Sequence, residues 1–106
     1  MRAEYEALKP CRANYVPLTP LSFLARAAQV FPDDDAVIYG SYRATWRQVQ
    51  ARIHALADSL RARDIALGDT VSVICPNIPQ MFECHYAVPL AGAVLHSINT
   101  RLEADT

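Results

Sequence analysis

A strand–helix–strand pattern over residues 70–98 constrains the fold of this chain more than any other feature. Residues 70–75 are rich in β-branched side chains and predict a strand, and residues 93–98 predict another. Between them, Asn77 is the predicted cap of a helix and Gly92 predicts its end. Short links on both sides of the helix predict a βαβ unit, in which a right-handed crossover joins two parallel strands.

The helix of this unit is apolar on most of its sides, so we expect it to be buried on more than one face. Pro79 is tolerated in its first turn, whereas Pro89 is predicted to kink the helix or to end it early. A parallel sheet needs cover on both faces, and the chain offers few elements to supply it. The sequence therefore predicts an α/β fold with an incomplete sheet. The apolar helix positions are Met81, Phe82, Cys84, Tyr86, Val88 and Leu90.

A β-hairpin and a capped helix are predicted upstream of this unit. Residues 36–39 and 42–44 predict short strands, and Gly40 supplies the positive φ that a two-residue link requires. Thr45 and Gln48 match a capping box at the start of a helix over residues 45–64. This helix has an apolar stripe and a charged face, which we interpret as solvated. The stripe is Val49, Ile53, Leu56 and Leu60, and the charged face is Arg47, Gln50, Arg52, Asp58 and Arg61.

A further helix is predicted nearer the N-terminus. Thr19 can cap it, and Pro20 suits its first position because proline has no N–H to leave unpaired. Pro32 is predicted to end it. Residues 1–16 show no clean period, and we interpret them as an N-terminal arm that lies on other parts of a protein. The predicted core-facing positions are Leu21, Leu24, Ala28 and Phe31.

Composition narrows the classes of function. The 106 residues are 52% hydrophobic and 20% charged, which is typical of one small globular domain. The net charge of -1 argues against binding to nucleic acid or to an anionic membrane. No apolar run predicts a transmembrane segment, and the acidic start does not resemble a secretory signal.

The cysteines indicate neither a disulfide framework nor a zinc site. Cys11, Cys75 and Cys84 are odd in number and contain no Cys-x-x-Cys pair. Cys75 and Cys84 are predicted to be buried as small apolar side chains. Unpaired cysteines fit a reducing compartment, so the cytoplasm is the expected location.

Few residues point to chemistry. The turn over residues 76–79 follows the first parallel strand, where open sheets bind phosphate, but it has no glycine and two prolines that donate no hydrogen bond. His54, His85 and His96 form no ligand spacing, and residues 33–35 predict a solvated acidic turn. The aromatic group of Trp46, Tyr39 and Tyr42 is interpreted as core and hairpin packing. We therefore predict no catalytic, cofactor-binding or metal-binding residue in this chain.

Several segments, in order along the chain, resemble the adenylate-forming family, and most closely its short- and medium-chain acyl-CoA synthetases and plant-type acyl-activating enzymes. The segments are residues 14–24, 42–49, 68–73, 76–81, 90–94 and 98–102. The resemblance implies that residues 17–106 are a partial N-terminal subdomain of the family's large domain. Asn99 and Arg101 match a recurrent family motif and are interpreted as structural.

The resemblance also implies a reaction for a longer parent enzyme. A carboxylate attacks the α-phosphate of ATP-Mg to form an acyl-adenylate, and the thiol of CoA then displaces AMP. The family's phosphate loop, ribose-binding aspartate and catalytic lysine have no counterpart here, and Lys9 matches neither family lysine. The chain is therefore expected to be a fragment whose partner is the remainder of a ligase and whose parent's substrate is a small carboxylic acid.

Two alternatives stay open on the sequence alone. The first is a standalone, non-catalytic α/β interaction module. The second is a small nucleotide-binding protein, against which the proline-bounded turn at residues 76–79 argues. The reading frame beyond Thr106 discriminates between the fragment and the module, because a Ser/Thr/Gly-rich loop with a lysine supports the ligase.

Overall fold

The computed structural model describes residue 7 and residues 9–106, so part of the predicted N-terminal arm lies outside the described residues. Within these residues, three helices accompany two small sheets of two strands each. In chain order the elements are α1 (Pro20–Val30), β1 (Asp35–Tyr39), β2 (Tyr42–Thr45), α2 (Trp46–Arg61), β3 (Thr70–Ile74), α3 (Pro79–Leu90) and β4 (Val94–Ile98). No helix in the described part of the chain is both long and apolar enough to cross a membrane.

The start of α1 follows the predicted signals. The Thr19 hydroxyl accepts a hydrogen bond from the backbone N–H of Ser22 at 3.4 Å, and Pro20 occupies the first turn. Leu24 and Ala28 are buried, whereas Phe31 follows the helix as its C-cap and stays exposed. The inward stripe is therefore shorter than predicted, because the helix ends at Val30 and the chain turns away there.

The hairpin and α2 confirm the upstream predictions, except that α2 ends at Arg61 and not at residue 64. β1 and β2 pair antiparallel, and Gly40 has a φ of +57° in the link between them. The backbone N–H of Gln48 donates to the Thr45 hydroxyl at 3.3 Å, and the Gln48 side chain accepts from the Thr45 N–H at 2.9 Å. This reciprocal capping box fixes where α2 begins.

The βαβ unit is present, with β3 and β4 paired in parallel from Thr70–Val94 to Ile74–Ile98. The sequence predicts Asn77 as the cap of α3, but this prediction is wrong. The N-cap is Ile78, and it makes no side-chain capping bond. The reason is that Pro79 takes the first helical position, which leaves Asn77 one residue too early. Pro89 lies in the last turn of α3, so it does not end the helix early.

The main core lies between the helices and the hairpin. α2 packs against α1 and α3, and several contacting positions are alanines, whose small side chains let the helices approach closely. Val49 and Ile53 of the predicted stripe are fully buried, while Leu56 and Leu60 pack at its margin. The sheet formed by β3 and β4 contributes no residue to this core. The buried members are Leu24, Ala44, Val49, Ile53, Ala57, Ala87 and Ala91.

Candidate functional site

The turn after β3 lies at the carboxyl end of a parallel strand, where open α/β sheets usually bind ligands. The N–H of Ile78 is occupied by the carbonyl of Pro76 at 2.8 Å, and Pro76 and Pro79 have no N–H to offer. A phosphate needs several free N–H groups that point toward it. The residues of this turn therefore do not fit the phosphates of ATP.

A groove of about 690 Å³ opens beside this turn, between β1 and the first half of α3. Its volume falls in the range of small-molecule sites, and its walls are mainly apolar. Phe82 and Tyr86 meet edge to face with ring centroids 5.3 Å apart. The His85 ring is held against its own helix, with Nδ1 2.8 Å from the carbonyl oxygen of Met81. The groove offers apolar contact but no convergent charged groups.

An ion pair between α2 and α3 lies outside the sequence predictions. Arg52 donates through Nε to Glu83 at 2.5 Å and through a terminal nitrogen at 3.2 Å. The Glu83 side chain is only 6% exposed, whereas that of Arg52 is 49% exposed. The hydrogen bond to Glu83, followed by the negative charge of that residue, raises the pKa of Arg52. This bidentate pair links α2 to α3.

Arg52 and Arg61 are exposed, as the interpretation of a solvated face on α2 requires, but that interpretation is incomplete because both residues also bind groups of α3. Arg61 hydrogen-bonds the carbonyl oxygen of Leu90 at the end of α3, as well as Asp58 on its own helix. A sequence signal did exist, since Glu83 is the sole acidic residue of a mostly apolar helix. Such a carboxylate is rarely buried without a partner, and a facing arginine is the usual one.

The histidines are dispersed over the fold. His54 is exposed on α2, and His85 lies in the groove. His96 pairs across the sheet with Ser72, with 3.1 Å between Nδ1 and the serine oxygen. Among residues 7 and 9–106, no three His, Cys, Asp or Glu side chains come together as metal ligands.

The acidic turn and the family motif both make local contacts. Asp33 pairs with Arg47 at 3.1 Å and Asp35 with Arg43 at 3.3 Å, all largely exposed. The Asn99 side chain accepts a hydrogen bond from the N–H of Arg101 at 2.9 Å, which closes a local turn. Both sets of contacts are local, between residues that lie close together in the fold.

The aromatic and cysteine predictions need adjustment. Trp46 packs against the core, but Tyr39 and Tyr42 face each other across the hairpin and remain exposed. Cys75, which follows β3, and Cys84, which lies on α3, are both half-buried and not fully buried as predicted. Burial still raises the pKa of the Cys84 thiol, with smaller contributions from Cys75 and Glu83.

Two curated relatives of this chain are named as CoA ligases. It is 50% identical over 96 residues to a peroxisomal butyrate–CoA ligase of Arabidopsis thaliana, which covers 91% of this chain and 17% of that protein. It is 50% identical over 98 residues to the peroxisomal trans-cinnamate:CoA ligase of Petunia hybrida, with coverages of 92% and 17%. The chain thus spans less than a fifth of the length of these relatives.

Solved structures share the fold. A fatty acyl CoA synthetase of Mycobacterium tuberculosis superposes with a TM-score of 0.76 at 36% identity, over 80% of this chain and 17% of that one. The N-terminal subdomain of Klebsiella oxytoca NpsA gives 0.76 at 24% identity, over 81% of this chain and 23% of that one. The predicted fold class is confirmed by these neighbours. Residues 24–106 also match the family model described as AMP-binding enzyme, and the chain therefore belongs to the AMP-binding enzyme family.

Proposed function

We propose that this chain is the N-terminal part of an AMP-forming carboxylic acid–CoA ligase and that it supplies scaffold, not catalytic groups. The observation that carries the proposal is the match of residues 24–106 to the family model, together with 50% identity to two CoA ligases. ATP, Mg²⁺, CoA and a small carboxylic acid are then ligands of the longer enzyme. The bound groups would be held by residues outside this chain.

The geometry supports a scaffold role. The turn after β3 has no free N–H array for a phosphate, and the groove beside it has no charged group for a carboxylate or a phosphate. Within the described residues, no three acidic, histidine or cysteine side chains come together in a way that could hold Mg²⁺. The Arg52–Glu83 ion pair instead joins one helix to another.

The first test concerns the chain alone. Purified residues 1–106 are incubated with ATP, Mg²⁺, CoA and a panel of aliphatic and aromatic acids, and pyrophosphate release is followed. We expect no turnover above the protein-free control. Turnover that depends on the chain would contradict the scaffold role, because it would require an adenylation site within these residues.

The second test restores the rest of an enzyme. The matching N-terminal segment of the Petunia trans-cinnamate:CoA ligase is replaced by this chain, and formation of the CoA thioester is measured. We expect the chimera to be active, while the Petunia enzyme without that segment is inactive. A folded chimera without activity would favour the alternative, a standalone α/β interaction module.

Compartment is a separate proposal. The free cysteines are consistent with a reducing compartment, and we retain the cytoplasm as the proposed location of the chain. Both curated relatives described above carry peroxisomal names. A fluorescent fusion of the full-length gene product, imaged beside a peroxisomal marker, tests this proposal directly.

A further inference from the structure

Cys75 directly follows β3 and shares one side of the sheet with Val71 and Val73, because side chains alternate along a strand. All three residues are half-buried, and this is the side on which α3 packs. Ile74 and Val94 lie on the opposite side, which is uncovered within the described residues and leaves them 70% and 55% exposed. The thiol of Cys75 therefore belongs to the layer between the sheet and α3.

Cys84 lies on the side of α3 that faces the same layer. Residues three and four apart share a face of a helix, which places Met81, Cys84 and Val88 on one stripe. Met81 is 8% exposed and Val88 is 1% exposed, yet neither belongs to the core that α3 forms with α1 and α2. Their cover therefore comes from the sheet, and Cys84, which lies between them, points toward it.

The two thiols are thus neighbours across this layer. Cys75 and Cys84 are nine positions apart, and a short turn joins β3 to α3 between them. Burial raises the pKa of Cys84 most, and the negative charge of Cys75 raises it further. Since a charge shifts a pKa strongly only when it lies close, this effect agrees with the placement of the two side chains.

We propose that Cys75 and Cys84 are a redox modification site, at which a reversible disulfide ties the end of β3 to α3. The oxidant is a low-molecular-weight disulfide such as glutathione disulfide. In a reducing compartment both residues are thiols, as they are in this structure. The inference does not depend on the proposed function, because it concerns only residues within this chain.

The bond forms by two steps of thiol–disulfide exchange. The thiolate of one cysteine attacks a sulfur of glutathione disulfide, whose S–S bond breaks and releases one glutathione thiolate. The thiolate of the second cysteine then attacks the protein sulfur of the mixed disulfide and releases the other glutathione thiolate. Two protein thiols are oxidised, one glutathione disulfide is reduced to two thiols, and the two protons pass to those thiols.

The bond would close a ring that contains the turn after β3 and the start of α3. Ile78, Pro79 and Met81 belong to this ring, and all three also line the apolar groove. Oxidation would therefore hold one wall of the groove to the end of β3, and reduction would release it.

The positions of the protease sites give a direct assay on the complete chain. Residues 64–101 form one tryptic peptide that carries both cysteines, whereas Cys11 lies in another peptide. A protease that cleaves after glutamate then cuts between Glu83 and Cys84. The two halves stay joined only through a bond between Cys75 and Cys84. The chain is equilibrated in buffers of increasing glutathione disulfide, quenched with acid, alkylated, digested and analysed by mass spectrometry.

We expect the joined peptide to appear as glutathione disulfide increases and to disappear on treatment with dithiothreitol. The effective concentration of one thiol toward the other should be roughly 10-fold higher in the folded chain than in urea, because the fold holds the two sulfur atoms together. Equal values in both conditions would show that the short spacing alone brings the thiols together, and would overturn the inference.

Serine variants identify the bond. Cys11→Ser is the matched control and should leave the yield of the joined peptide unchanged, while Cys75→Ser and Cys84→Ser should each abolish it. The intact oxidised protein should keep the mass of one chain less two hydrogen atoms. Separate glutathione adducts on Cys75 and Cys84, a bond to Cys11, or a bond between two copies of the chain overturns the inference. These readouts use the wild type and the Cys11→Ser control, so they remain decisive even where another variant fails to fold.

Discussion

The helix–hairpin half of the molecule (α1, β1, β2 and α2) and the β3–β4 sheet differ in how deeply their apolar side chains are buried. In the first half, local signals and packing agree: Thr45 caps α2, and Ile53 is 0% exposed. In the second, the strands pair correctly, yet Ile74 is 70% exposed. Secondary structure thus forms in both regions, but only the first supplies fully buried core positions, although it too leaves Phe23 and Ile38 exposed.

The largest expected effect separates the two regions with one pair of variants. Ile53→Ala should lower the free energy of unfolding by about 3 kcal/mol, because it leaves a cavity in a closed core. Ile74→Ala should cost about 0.5 kcal/mol or less in the isolated chain, because the side chain is already solvated. Urea unfolding followed by the fluorescence of Trp46, the single tryptophan, measures both. Equal losses would remove the distinction between the halves.

The second effect concerns the ion pair that joins the first half to α3. Arg52→Ala should cost about 2 kcal/mol, between the values for exposed and buried pairs, since it leaves the Glu83 carboxylate buried alone. Arg47→Ala, which removes an exposed bridge to Asp33, is the matched control and should cost less than about 0.5 kcal/mol. The measurement is the same urea titration. A loss for Arg52→Ala no larger than for its control would mean that Glu83 is hydrated.

The third effect compares two potential helix caps. Thr45→Ala should cost about 1 kcal/mol because the backbone N–H of Gln48 loses its hydroxyl acceptor, while the Thr45 N–H keeps the Gln48 side chain as partner. Asn77→Ala should be close to neutral, since Asn77 lies before the N-cap of α3 and makes no capping bond. Thermal melts of the two variants, monitored by circular dichroism, provide the comparison. A substantial loss for Asn77→Ala would indicate a role in the longer enzyme or a different start of α3.

The smallest effect is kinetic and concerns the cysteines. Cys11 is exposed, whereas Cys84 is half-buried with a raised pKa. Thiolate is the reactive form, so a raised pKa means less thiolate at neutral pH and a rate that keeps increasing at higher pH. We expect Cys84 to react several-fold more slowly than Cys11 near neutral pH, with the gap narrowing as pH rises. A pH-independent gap would point to steric access alone.

The sequence predicted the features that local rules determine. The capping box at Thr45, the hairpin turn at Gly40 and the parallel βαβ unit are all present. The Arg52–Glu83 pair was missed because it joins residues 31 positions apart, and helical periodicity places Arg52 on an outward face without showing what approaches it. The predicted cap at Asn77 is wrong because Pro79 occupies the first helical position, which makes Ile78 the N-cap.

The physical chemistry of the residues and the family resemblance predicted different features of this chain. The glycine-poor turn at residues 76–79 predicted poor phosphate binding from its composition, and the occupied N–H of Ile78 gives the geometric reason. The family came from ordered motifs that no single physical rule produces. The uncovered sheet face could be anticipated from the shortage of elements, but the Ser72–His96 bond at its centre required strand register, which the sequence left open.

The parallel register of β3 and β4 also sets an order of events during synthesis. Tyr39 meets Tyr42 through a two-residue link, so the hairpin can close as soon as both strands leave the ribosome. Thr70 meets Val94 only after the whole of α3 has emerged and folded back, and such non-local pairing is slow. A nascent chain of this family would therefore hold a formed first half while its sheet is still unpaired. During that interval its strand edges would be the part of the protein most in need of a chaperone.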